Sequence, residues 1–137
     1  MLYALLAYHE EHVVQAWSDE EDAALMRALA GAHERLLEAG AIGPAARLGA
    51  TSLARTVRGK AAVTDGPFAE TKEQLLGFYI LDCDSLDEAV RAAQDLKVAN
   101  PSAAYEVRPI VLFRPGKAIP LTEAGLEIVR PERASPA

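Results

Sequence analysis

Asp65 opens the densest run of reactive side chains in the sequence, Asp65-Gly66-Pro67-Phe68-Ala69-Glu70-Thr71-Lys72-Glu73. A carboxylate there could serve as a general acid or base, or as a polar anchor in a pocket beside a sheet. It could equally build a turn by accepting hydrogen bonds from the amides that follow, since Asp before Gly-Pro is common turn chemistry. Glu70, Lys72 and Glu73 could clamp a ligand, with Lys72 holding an anionic group and a carboxylate moving a proton. The plainer meaning of such a cluster is a solvated loop face. Phe68 is expected to plug the core behind the turn, with pocket lining as its second use.

Two further side chains bear on chemistry. Arg108 shares the polar face of a late strand with Glu106, where pairing with neighbours or solvent is the ordinary expectation. On a buried face, Arg108 would need a carboxylate or an anionic ligand. His33 falls on an apolar stripe between Leu29 and Leu36 or Leu37. It reads as a boundary histidine with one hydrogen bond, or as a base facing Asp65.

Other groups are assigned no chemistry. His9, Glu10, Glu11 and His12 crowd together, but not with the spacing of a helix-borne HExxH site, and they read as loop residues at the end of the first strand. Cys83 is the only cysteine, so an intramolecular disulfide is impossible and a cysteine-based zinc site is implausible. It is expected to be an inert, buried thiol in a reducing cytoplasm. No G-x-G-x-x-G, Walker A or G-x-S-x-G pattern is present. Nucleotide cofactors and a serine hydrolase of that type therefore have no support, and neither cofactor nor metal is expected.

The chain of 137 residues carries 14 Lys and Arg against 20 Asp and Glu, a net charge of −6. That field repels nucleic acid and anionic membrane surfaces. The apolar start, Met1 to Tyr8, is too short to span a bilayer and lacks the pattern of a secretion signal. One acidic, cytoplasmic domain is the expectation.

The elements that must position these residues follow from patterning. Leu2 to Tyr8 has no polar alternation and reads as a strand buried on both faces. Trp17 is a packing anchor before Ser18, which forms a capping box with Glu21 and opens a helix running to about Ala39, stopped by Gly40. Ile42 to Ala50 reads as a turn-rich stretch. Thr51 to Arg58 reads as a strand, Gly59 as a tight turn and Ala61 to Thr64 as the returning arm. Thr71 with Gln74 could cap a helical turn. Gly77 to Cys83 is a second strand apolar on both faces. Ser85 and Glu88 form another capping box, and the helix it opens closes at Asn100-Pro101. Tyr105 to Arg108 alternates as a half-exposed strand does. Residues 1–110 form the domain, and 111–137 a C-terminal extension that is mobile at its end, with a short helix possible from Thr122 to Val129.

The order β-α-β-β-β-α-β suggests a ferredoxin-like, split βαβ α+β fold, with an antiparallel sheet and two helices on one face. Strands apolar on both sides make an open, wet sheet face expensive, at about 25 cal/mol per Å². A homodimer joined through that open face is the simple remedy.

The stretch Val63 to Glu73 resembles the signature of the DGPF-domain proteins, within the wider YCII-related family. The supporting pieces stand in order: Gly77-Phe78-Tyr79-Ile80, Ser85-Leu86-Asp87-Glu88-Ala89 and Glu106-Val107-Arg108-Pro109-Ile110. The resemblance implies a dimeric α+β barrel and no settled activity. It also implies a possible tie to extracytoplasmic-function sigma factors, beside which some members are encoded. Some YCII relatives act on chlorinated muconolactones, with a His–Asp pair as the proposed active site. This chain lacks the proline pair common before the second strand, and its tail is longer than usual. YCII proteins tend to carry their histidine roughly three turns before the glycine that ends the first helix. Counted from Gly40, that place holds Leu29, and His33 lies about one turn closer. Three uses are thus expected. One is binding of a small acidic or polar metabolite. Another is cofactor-free acid/base chemistry on a lactone-like or anionic substrate, an isomerase, lyase or dehalogenase reaction using Asp65 and His33. The last is a structural interaction module.

Overall fold

The computed structural model describes residues 1–60, 62–119 and 123–129. In chain order the elements are β1 (Leu2–His9), α1 (Glu11–Gln15), α2 (Asp19–Glu38) and β2 (Ile42–Arg47). A 3₁₀ turn (Thr51–Leu53), β3 (Arg55–Arg58) and β4 (Ala62–Asp65) come next. β5 (Gln74–Asp82), α3 (Leu86–Ala99) and β6 (Ala104–Pro109) complete the set. The main sheet has the order β2-β5-β1-β6, with every pairing antiparallel. This is the ferredoxin-like α+β arrangement. Within one chain the sheet is open and does not close into a barrel.

β1 alternates strictly. Tyr3, Leu5, Ala7 and His9 are buried under the helices, while Leu2, Ala4, Leu6 and Tyr8 are half-buried on the other side. The expectation of a strand buried on both faces is corrected accordingly: only one face is covered within the chain. β5 repeats the pattern, with Tyr79 and Leu81 in the core and Leu76, Phe78 and Ile80 on the open side. α2 contributes Leu29, Ala32 and Leu36 to the core, and α3 contributes Ala89, Ala92, Ala93 and Leu96.

Both expected long helices form where their caps predict. The Ser18–Glu21 capping box is complete, and Gly40, at φ +68°, follows the end of α2. The second box is half made. Ser85 Oγ accepts from the Glu88 amide at 3.2 Å, but the Glu88 carboxylate turns to the Asp84 amide at 2.7 Å.

Three readings are corrected. First, the turn-rich stretch from Ile42 holds β2, a full edge strand. Pro44 is tolerated there because β2 lies at the sheet edge and its register shifts between Ile42 and Ala45. Second, the arms around Gly59 are no part of the main sheet. They pair only with each other, as Arg55 with Asp65 and Val57 with Val63, and Thr51–Leu53 is a 3₁₀ turn. Third, no helical turn follows Thr71. The Gln74 side chain donates to the Thr71 carbonyl, and the Thr71 hydroxyl donates to the Glu73 carbonyl. Residues 123–129 form no helix, and Thr122 and the end of the tail lie outside the described residues. Among the described residues, no helix is long and apolar enough to cross a membrane.

Candidate functional site

Three loops are tied together at the C-terminal end of β1. The Glu11 carboxylate accepts from the Thr51 amide at 2.9 Å and from the Thr51 hydroxyl at 2.6 Å. The Glu11 amide donates to Gln74 Oε1 at 2.8 Å. Lys72 Nζ lies 3.6 Å from Glu10, whose carboxylate is also 3.7 Å from His12. The segment after β1, the 3₁₀ turn and the loop entering β5 therefore share one polar junction. It places Lys72, and Glu73 beside it, against the end of the main sheet.

His9 is not a loop residue. It is the last residue of β1, 7% exposed, and it continues the buried parity of Tyr3, Leu5 and Ala7. Its Nε2 faces Asn100 Nδ2 at 3.2 Å, its Nδ1 faces Ser102 Oγ at 3.4 Å, and Trp17 packs edge-on at 5.9 Å. Burial, and then the Arg47 guanidinium, hold its pKa below the ordinary value. His12 lies in α1. The parity of β1 was the sequence signal for His9. Glu10 and Glu11 gave none, because their partners are distant in sequence.

Asp65 ends β4 and pairs with Arg55 Nε at 3.1 Å, with its side chain 89% exposed. Among the described residues, no backbone amide donates to its carboxylate. The loop is instead fixed at Gly66, whose amide donates to the Ala54 carbonyl and whose carbonyl accepts from the Thr56 hydroxyl. Phe68 is not a core plug. It is 69% exposed, and the Arg58 guanidinium lies 4.7 Å over its ring. Glu70, Lys72 and Glu73 are exposed.

His33 Nε2 and Tyr79 Oη are 2.8 Å apart beneath α2. Burial lowers the His33 pKa and raises that of Tyr79. No hydrogen bond or ion pair joins His33 to Asp65: one is engaged by Tyr79 and the other by Arg55. On the opposite face of the sheet, β6 sets Glu106 beside Leu6 and Arg108 beside Ala4. The Tyr8 hydroxyl donates to Glu106 at 3.2 Å, and burial followed by the Glu106 charge raises the Tyr8 pKa. Among the described residues, no carboxylate pairs with Arg108. Leu6, Phe78 and Ile80 floor this face. It thus offers apolar area, one hydroxyl–carboxylate pair and one uncommitted guanidinium, a set suited to a small ligand with an anionic end.

This fold, with an open half-apolar sheet and a hairpin inserted before β5, defines a small α+β domain. A model of the YCII-related domain matches residues 1–114, and the chain belongs to the YCII-related family. It is similar to an uncharacterised protein of Rhizobium meliloti (strain 1021), 56% identical over 121 residues, covering 85% of this chain and 98% of the relative.

Proposed function

We propose that the chain is a small-molecule-binding protein that works as a homodimer joined through the open sheet face. Its ligand is a small metabolite with an anionic group, held by Arg108. The observation that carries this reading is Arg108 itself, a guanidinium with no carboxylate partner among the described residues, standing on a half-buried apolar face. Dimerisation supplies the cover that Leu2, Leu6, Phe78 and Ile80 lack, and it removes water from around Arg108, which strengthens its hold on an anion.

The test is a thermal-shift screen of small carboxylates, lactones and phenolic acids. A ligand present at about 100 times its Kd stabilises the native state by about 2.7 kcal/mol, which raises the midpoint by several degrees. Arg108→Gln is expected to abolish that shift while the dimer persists. A shift retained in Arg108→Gln overturns the assignment. Asp65→Asn, run in parallel, reads whether the hairpin loop also touches the ligand.

Cofactor-free acid/base catalysis is the second reading, and the Tyr8–Glu106 pair beside Arg108 is what favours it. A hydroxyl donating to a carboxylate can pass a proton to and from a bound substrate. Turnover of the stabilising ligand, lost in Tyr8→Phe with binding retained, would establish it.

A further inference from the structure

A second concavity lies on the helix side of the sheet, across from Arg108. It encloses about 360 Å³ between Trp17, the first turns of α2 and the end of α3. Ala24, Ala28 and Ala99 make its walls shallow and apolar. Its polar lining consists of the Glu21 carboxylate, the Trp17 indole, the Ser102 hydroxyl and the Asn100 amide. Asn100, the residue that closes α3, is 5% exposed. Its Nδ2 donates to His9 Nε2 at 3.2 Å and to Tyr105 Oη at 3.1 Å, which engages both N–H bonds. Its Oδ1 is buried with no donor among the described residues.

Glu21 is the only charged side chain among the lining residues. Glu21 lines the concavity, and one of its carboxylate oxygens accepts only from the Ser18 amide at 3.3 Å. The Trp17 indole offers a π face. The C-terminal end of α3 adds the negative end of a helix dipole. The turn beyond α3 already holds an ammonium of the chain's own: Lys97 Nζ donates to the Pro101 and Ala103 carbonyls, each at 2.8 Å. No Lys or Arg lines the concavity.

We propose that this concavity is a binding site for a small organic ammonium with a short apolar arm. Its N–H is directed to Asn100, its charge to Glu21 and Trp17, and its arm lies on the alanines. A slight opening at Asn100 lets the ligand donate to Oδ1. The site is separate from the Arg108 face and does not depend on the function proposed for it.

Trp17 is the only tryptophan, so its emission reports on the site directly. The full chain is titrated with n-butylammonium, and with butyrate and 1-butanol as controls. A saturable change in Trp17 emission with n-butylammonium alone is expected, together with movement of the Asn100 side-chain amide signals in NMR. Glu21→Gln keeps the capping box, since Gln fills the same cap position, and should weaken binding about twofold to fivefold. Three outcomes overturn the proposal: no saturable response, an equal response to butyrate or butanol, or unchanged affinity in Glu21→Gln.

Discussion

His9 and His33 both sit on the helix side of the sheet, and burial lowers both pKa values from the ordinary 6.5. As pH falls through about 6.5, the unfolded chain takes up these protons before the folded chain does. Stability contributed by the neutral histidines is therefore present above that pH and declines below it. The thermal midpoint should drop between about pH 7.5 and 5.5, and less steeply in His9→Gln and His33→Gln. An equal slope in both variants would count against this assignment. Tyr79→Phe leaves His33 Nε2 without its partner and is expected to lower stability by about 0.5–1.5 kcal/mol in urea unfolding. Residue types announced some of these roles. His33 on its apolar stripe was legible as a boundary histidine with one hydrogen bond, and that bond is to Tyr79. Phe68 misled, because an aromatic after a turn usually faces inward, whereas here Arg58 holds it at the surface.

Among the elements, the helices were the most legible, because caps and apolar spacing are local signals. Ser18→Ala removes a complete capping box and should cost about 1 kcal/mol, read as a lower thermal midpoint. β2 was not legible, because Gly43-Pro44 breaks every local strand signal. Its reason for being a strand lies across the sheet. A Cβ at Gly43 would meet the Ile80 carbonyl oxygen at 2.7 Å, and one at Gly77 would meet the Ala46 carbonyl oxygen at 2.8 Å. Two glycines facing opposite strands let the β2 and β5 backbones approach. Gly77→Ala should then destabilise by about 1–3 kcal/mol and speed amide exchange along β2, with α3 unaffected. Exchange that rises uniformly across the chain would point to a different cause. The candidate site was half legible for the same reason. Lys72 and Glu73 stood out in the sequence, but the bonds from Glu11 to Thr51 and Gln74 join segments 40 and 63 residues apart.

For the whole molecule, the decisive quantity is how much of the open sheet face meets water. Alternation along β1 and β5 leaves one half-buried apolar layer on the side of the sheet away from α2 and α3. Phe78→Asp should convert the proposed dimer into a folded monomer in light scattering, with the far-ultraviolet spectrum retained. A wild-type monomer at working concentration would refute the homodimer. The fold class was readable from two capped helices alternating with strands. The assignment of strands to sheets was not, because the hairpin reads locally as well as any sheet strand.

That hairpin has a practical consequence. β3 and β4 pair only with each other, so each keeps an outer edge of unpaired backbone groups, and Val57 and Val63 are 72% and 60% exposed. Such an edge is a template on which further strands can add. Arg58 and Lys60 guard it through like-charge repulsion between molecules, and salt screens that repulsion over about 10 Å at 0.1 M. Concentrated stocks should therefore turn cloudy as salt is raised and keep longest in dilute buffer.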